Sequence, residues 1–75
     1  MDGIVPKLGY FAKQKLYQRL RRCREAKLKM RYLIVINLAN ARSPVETAEV
    51  LGVCRSTVYN VARRFREQGE LGLLD

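Results

Sequence analysis

Three polar residues that lie close together in the chain, Arg55, Ser56 and Asn60, have side chains suited to hydrogen bonding with the edges of nucleic-acid bases. An arginine guanidinium can donate two hydrogen bonds to guanine O6 and N7, and an asparagine carboxamide can form two with adenine. Ser56 and Asn60 are four residues apart, so a helix would place them one turn apart on the same face. We therefore interpret Arg55, Ser56 and Asn60 as base-reading residues of a DNA-binding helix. The alternative is that Asn60 is a plain surface residue.

Hydroxyl-bearing and arginine side chains flank this set and suit the phosphate oxygens of a DNA backbone. Contacts to phosphate position a protein on the duplex without reading its sequence. Tyr59 and Tyr32 could each serve this role or lie in an amphipathic core; a phosphate contact is favoured for Tyr59 and a core position for Tyr32. The residues predicted to contact phosphate are Ser43, Thr47, Thr57, Tyr59, Arg63 and Arg64.

Two short helices joined by a tight turn, within residues 43–66, would position these side chains. Ser43 and Glu46 have the S-x-x-E spacing of a capping box, with Pro44 in the first turn, so a helix is predicted to begin there. It should end near Leu51, because Gly52 allows the positive φ of a sharp turn.

The second helix is predicted from Arg55 to Gln68, with Gly69 in the left-handed conformation at its end. At 100° per residue its apolar side chains fall on one stripe and its polar side chains fall opposite, so the stripe should face a core. With Ala48 and Gly52 before it, the pattern is typical of a helix-turn-helix. The stripe consists of Val58, Val61, Ala62 and Phe65, and the opposite face carries Ser56, Asn60, Arg63 and Glu67.

Two further helices are predicted before this motif. Residues 10–25 have the pattern of a basic amphipathic helix, with Phe11 and Leu16 on its apolar face, and residues 26–41 are the most apolar stretch. The β-branched residues 34–36 would also suit a strand, but no second strand exists to pair with it. Either the basic helix or a second subunit could cover the surplus apolar face of residues 26–41, so a homodimer is one expectation.

The predicted fold class is therefore all-α, with a three-helix homeodomain-like helix-turn-helix core at residues 26–68 and an additional N-terminal basic helix. The DNA-binding domain spans residues 10–75, and residues 1–9 form a flexible arm. The leucines at positions 71, 73 and 74 should fold back onto the core.

The charge of the chain favours a polyanionic partner. Its 75 residues include 15 Lys and Arg against 7 Asp and Glu, which gives a net charge of +8. The arginines within residues 19–24 fit either a solvated helix face or a surface for DNA phosphate or a protein partner. A membrane surface suits them less, because the apolar face is narrow and the chain lacks Trp.

Other kinds of site are not indicated. His is absent, and Cys23 and Cys54 lack the spacing of metal ligands, so we expect no metal, no cofactor and no small-molecule ligand. The glutamates at positions 46, 49, 67 and 70 fit capping and exposed helix charges better than a catalytic site. Because residues 1–9 lack the pattern of a signal peptide and no apolar run could span a membrane, a cytoplasmic protein is expected.

Residues 51–75, LGVCRSTVYNVARRFREQGELGLLD, resemble the N-terminal helix-turn-helix of bacterial insertion-sequence transposases related to the mariner superfamily. LGV before the second helix, STVY inside it, RRFREQG at its end and the Gly-Leu of LGLL carry the resemblance. It is strong over residues 43–74 and looser over residues 26–42. Cys54 stands where such proteins commonly have Ser, and Asn60 stands where a basic residue is common, so their target sequences do not transfer to this chain.

The resemblance implies recognition of terminal inverted repeats in a bacterial cytoplasm, associated with the nucleoid. In that family a C-terminal nuclease domain with three acidic residues and divalent metal cuts DNA, and none of that part is expected here, so this chain itself is not expected to be an enzyme. Two other classes of function fit the residues. One is a free-standing transcriptional regulator or resolvase-like DNA-binding domain, and the other is a dimerisation module that uses residues 26–41.

Overall fold

The computed structural model describes residues 9–74, which are helical almost throughout. No β-strand occurs among these residues, so the prediction of an all-α helix-turn-helix fold with an extra basic helix is confirmed. The proposed arm lies outside the described residues except for Gly9. The elements are α1 at Tyr10–Arg22, α2 at Ala26–Ala39, α3 at Pro44–Leu51, α4 at Arg55–Gln68, and a 3₁₀ helix at Gly69–Leu73.

Helix α2 lies at the centre of the core and packs against α1, α3 and α4. Ile34, Val35 and Ile36 are all buried although they are consecutive, because three residues of a helix span about 200° of its circumference and different neighbours cover each direction. A helix rather than a strand is therefore correct for residues 34–36. Leu16 of α1 is buried in the same core, so α1 covers part of the apolar face for which a second subunit was the alternative.

Helix α1 ends at Arg22 rather than at residue 25. Cys23 and Glu25 have extended backbone conformations, and Glu25 is the N-cap of α2. These residues turn the chain so that α2 can pack against α1. The position predicted for Phe11 on the apolar face is wrong, because its side chain is 85% exposed in the first turn of α1.

Helices α2 and α3 end in the same way but with different residues. After α2, the amide of Arg42 donates to the carbonyl of Asn37 and that of Ala41 donates to Leu38, at 3.1 Å each. This is a Schellman termination, and it puts Ala41 at φ 68°. After α3 the amide of Val53 donates to the carbonyl of Ala48 at 3.0 Å. The residue that corresponds to Ala41 is Gly52, at φ 70° and ψ 35°, which confirms the predicted left-handed turn.

The chain after α4 folds back along that helix as the 3₁₀ helix. Gly69 has positive φ, as predicted, but its φ of 64° and ψ of −147° are not left-handed helical; this region of backbone conformation is essentially restricted to glycine. Leu73 is fully buried, whereas Leu71 is 71% exposed and Leu74 is also exposed. The prediction that all three leucines pack on the core is therefore correct only for Leu73.

Candidate nucleic-acid interface

The start of α3 is fixed by the predicted capping box. The backbone amide of Glu46 donates to Ser43 Oγ at 3.1 Å, and the amide of Ser43 donates to Glu46 Oε1 at 3.3 Å. Pro44 occupies the first turn, where it lacks only an amide that would have had no helical partner. The hydroxyl of Ser43 accepts a hydrogen bond in this cap and keeps its own proton to donate, so its predicted phosphate contact stays a prediction.

Helix α4 has the predicted bounds and the predicted two-sided character. Val58, Val61, Ala62 and Phe65 are buried against α2, α3 and the 3₁₀ helix. Burial of this stripe fixes the rotation of α4 about its axis, so the opposite face points away from the core.

The three predicted base-reading residues are exposed near the start of α4: Ser56 and Asn60 share the face opposite the buried stripe, and Arg55 is the first residue of the helix. Arg55, Ser56 and Asn60 are exposed, and their side chains form no hydrogen bond or ion pair with any residue in the range 9–74. Their donors and acceptors are therefore free to meet a ligand, and they lie in the N-terminal half of α4, the part that approaches bases most closely when such a helix enters a major groove. Their contact with bases stays a prediction.

Of the residues predicted to contact phosphate, Thr57, Tyr59 and Arg63 are exposed around this face. Tyr59 is 46% exposed, at the edge of the buried stripe, which fits an amphipathic residue with its hydroxyl in solvent. Tyr32 is buried, which confirms its predicted core position.

The prediction for Thr47 is wrong. Its side chain is 0% exposed, on the buried face of α3 with Pro44 and Ala48. Because it is fully buried, its hydroxyl does not reach the surface where phosphate would lie, and this hydroxyl has no hydrogen-bond partner among the described residues. The i, i+3, i+4 spacing of these three residues was the sequence signal of a buried face.

Arg64 is placed differently from its neighbour Arg63. It is half-buried, and its Nη2 donates to the carbonyl oxygen of Leu74 at 2.8 Å, while Nη1 of Arg31 donates to the carbonyl of Leu73 at 2.8 Å. Two arginine side chains, one from α2 and one from α4, thus donate hydrogen bonds to the last two backbone carbonyls of the described residues. The sequence did not indicate this hydrogen bond to Leu74. The phosphate contact predicted for Arg64 would have to form while this hydrogen bond is in place.

Close packing explains why the Gly-Leu pattern near the C-terminus has a glycine at position 72. It is buried, and a Cβ atom at this position would lie 2.7 Å from the carbonyl carbon of Arg64 and closer still to its oxygen. Only glycine allows the 3₁₀ helix to approach the backbone of α4 this closely.

Two side-chain contacts join helix α1 to the helix-turn-helix unit. Asn40 Nδ2 donates to the hydroxyl of Tyr17 at 3.0 Å, and Arg19 Nε lies 2.8 Å from Glu70 Oε2. Tyr32 is buried beside this second contact; burial, and to a smaller extent the Glu70 carboxylate, raises the pKa of its phenol above 10.0, while Arg19 opposes the rise.

The described residues contain no cluster of three or more His, Cys, Asp or Glu side chains that could hold a metal ion. None of the helices between residues 9 and 74 has the length and apolar character needed to cross a membrane.

Comparison with known proteins places the chain in a family. Residues 31–75, more than half of the chain, match the model of a winged helix-turn-helix family. No curated protein and no solved structure gave a significant match. A wing is a β-hairpin beside the helix-turn-helix, and the described residues after α4 form a 3₁₀ helix instead. The match covers α3, α4 and most of α2, the elements that carry the candidate interface, so the chain belongs to the winged helix-turn-helix family, which is a family of DNA-binding domains.

Proposed function

We propose that this chain binds double-stranded DNA in a sequence-specific manner, with α4 in the major groove. The observation that carries the proposal is the division of α4 into a packed face and an exposed face with unbonded Ser56 and Asn60, beside the exposed and unbonded Arg55 in the first turn. A helix held by its buried stripe presents these groups in a fixed orientation, which reduces the conformational entropy lost on binding.

Base discrimination would come from Arg55 and Asn60. Each bidentate pair between such a side chain and a base contributes about 1–3 kcal/mol of discrimination against the wrong base. Thr57, Tyr59 and Arg63 around them would position α4 through contacts to phosphate.

We further propose that the chain recognises the terminal inverted repeats of an insertion sequence, as the N-terminal domain of a transposase in the bacterial cytoplasm. The support is the resemblance of residues 43–74 to such domains. Gly72 weakens one part of it, because packing against α4 accounts for this glycine in any domain with the same C-terminal path. In this proposal the chain has no catalytic residues of its own, and DNA cleavage would belong to a separate nuclease domain.

Selection of bound sequences from a random duplex pool tests both proposals. Enrichment of one motif supports sequence-specific binding, and recovery of the whole pool without a motif contradicts it. If the motif occurs as inverted repeats at the ends of an insertion sequence in the source genome, the transposase proposal is supported. A motif found upstream of genes and not at such ends would replace that proposal with transcriptional regulation.

A further inference from the structure

The net charge of the chain is confined to one segment. Residues 10–31 contain nine Lys and Arg and one acidic residue, Glu25, which gives +8, the net charge of the whole chain. Residues 32–75 contain five Arg and five acidic residues, so they are neutral overall. The helix-turn-helix therefore carries the groups that could read bases, and α1 with the first turns of α2 carries the electrostatic attraction for a polyanion.

Most of these cations have no acidic partner. The ion pair of Arg19 with Glu70 neutralises one of them. Arg21, Arg22 and Arg24 are exposed at the end of α1 and in the loop that follows, and they pair with no acidic group within residues 9–74. A groove of about 590 Å³ lies here and is lined by four basic residues, Lys15, Arg19, Arg22 and Arg24, and by one acidic residue, Glu25. Because the basic side chains outnumber the acidic one, this concave surface concentrates positive potential.

The two side-chain contacts of α1 join it to both ends of the helix-turn-helix unit. Tyr17 bonds to Asn40, at the turn between α2 and α3, and Arg19 bonds to Glu70, just beyond the C-terminal end of α4. When a homeodomain-like core docks on DNA, its equivalents of this turn and of this helix end contact the sugar–phosphate backbone. A helix joined to both positions would therefore lie near the DNA backbone if α4 docked in this way.

We propose that α1 and the loop at residues 22–25 form a second DNA-binding surface, which contacts the phosphate backbone and supplies a large part of the salt-dependent affinity. The inference rests on the proposed function and adds a division of labour to it. Helix α4 selects the sequence, and α1, which precedes the residues matched by the family model, holds the duplex without reading it.

The test uses the whole chain and two matched variants. In the first, Arg21, Arg22 and Arg24 are all changed to Gln; in the second, the same residues are changed to Lys, which keeps the charge. Affinity for the selected duplex and for a random duplex is measured between about 50 and 200 mM salt, a range over which phosphate contacts dominate the change. Circular dichroism checks that the helix content of each variant equals that of the unchanged chain. Anionic phospholipid vesicles without DNA serve as a second polyanionic probe.

We expect log affinity of the unchanged chain to fall with log salt at a slope of about −4 to −7. The Gln variant should reduce the size of this slope by about 2 to 3, since each lost phosphate contact removes about 0.9. Its affinity should fall by the same factor for both duplexes, and the Lys variant should keep the original slope.

Several results would overturn the inference while leaving the proposed function intact. One is a chain that binds its selected duplex while the Gln variant has an unchanged slope. Another is a Gln variant that loses selected DNA but keeps random DNA, which would make α1 a reader of sequence. A third is loss of vesicle binding with an unchanged DNA slope, which would assign α1 to a membrane surface. Failure of the unchanged chain to bind any duplex would instead contradict the proposed function itself.

Discussion

Arg64 of α4 donates a hydrogen bond to the carbonyl oxygen of Leu74 at 2.8 Å, whereas Arg63, one residue earlier, is exposed and has no partner among the described residues. Two adjacent arginines of the same helix therefore have different surroundings. One links α4 to the C-terminal segment, and the other is available to DNA.

This difference predicts that substitution of Arg64 mainly lowers stability, whereas substitution of Arg63 mainly weakens DNA binding. Arg64→Ala should lower the free energy of unfolding by about 0.5–1.5 kcal/mol, the usual net contribution of a hydrogen bond. Arg63→Ala should leave stability within about 0.5 kcal/mol and reduce the size of the salt slope of DNA binding by about one unit. Urea unfolding and salt titration of both variants measure these quantities. Equal stability losses in the two variants would contradict the inference that the Arg64–Leu74 hydrogen bond stabilises the fold.

Gly72 provides a test of the packing between the 3₁₀ helix and α4. Gly72→Ala places a methyl group against the backbone of Arg64, which cannot move without distorting α4, so we expect a loss of about 1–3 kcal/mol of stability. Gly9→Ala is the control for steric clash, because a Cβ there meets no atom within 4 Å and the φ of Gly9 is −75°. Gly9 is the N-cap of α1, so its change to Ala should cost only about 0.5–1 kcal/mol through weaker capping. Thermal unfolding of the two variants measures the difference. A Gly72→Ala protein as stable as the control would show that the close approach does not persist in solution.

The two Schellman terminations allow a reciprocal experiment. Ala41 pays a backbone cost of about 1–2 kcal/mol for its left-handed conformation, and glycine would remove it while losing about 0.5–1 kcal/mol in chain entropy. Ala41→Gly should therefore be neutral or stabilise by up to about 1.5 kcal/mol. Gly52→Ala should destabilise by about 1 kcal/mol, and no steric clash adds to this, because a Cβ at Gly52 meets nothing within 4 Å. Denaturant unfolding that gives both changes the same sign would contradict this account.

The buried phenol of Tyr32 predicts a dependence of stability on alkaline pH. Its pKa in the folded chain is raised above 10.0, mainly by burial, so the neutral form is the one that the folded state favours. Its contribution is complete below pH 10 and is lost as pH rises, because the unfolded chain then ionises more readily. Urea unfolding under reducing conditions from pH 8 to 11 should therefore show a steeper decline for the unchanged chain than for Tyr32→Phe. Parallel curves would mean that the phenol ionises equally in both states.

The helix-turn-helix was predictable because its signals are local. The capping box of Ser43 and Glu46, the glycine at position 52 and the periodic stripe on α4 each act within a few residues of where they occur. The exposure of Phe11 and the bond of Arg64 to Leu74 depend instead on where α1 and the C-terminal segment run in three dimensions, which periodicity does not specify. Thr47 was misjudged for a different reason: its hydroxyl suggested a surface role, although its spacing from Pro44 and Ala48 placed it on the buried face.

The site itself could be predicted only up to the face on which it lies. Sequence periodicity placed Ser56 and Asn60 on the exposed side of α4, and the structure confirms that exposure. The distribution of charge between α1 and α4 was also readable from the sequence. How this charge could serve DNA binding became clear only from the contacts of Tyr17 and Arg19, which show where α1 lies relative to the other helices.

The base-reading role of Asn60 gives the most direct test of how α4 docks. Asn60 lies one turn after Ser56 on the exposed face, in the half of the helix that comes closest to the bases when it enters a major groove. Asn60→Ala should therefore cost roughly 1–3 kcal/mol of binding free energy on the selected duplex and little on random DNA. Because its side chain is exposed and unbonded within the described residues, stability should hardly change.

Titration of both duplexes with the Asn60→Ala variant, followed by a new selection from the random pool, measures this effect. Preference should relax at one or two base pairs and stay unchanged elsewhere, since a carboxamide reads a single base edge. Glu67→Gln is a suitable control, because Glu67 lies on the same face two turns later and is exposed near the C-terminal end of α4. If Asn60→Ala weakens both duplexes equally or selects the same motif as the unchanged chain, α4 does not dock through this face, and other residues must read the bases.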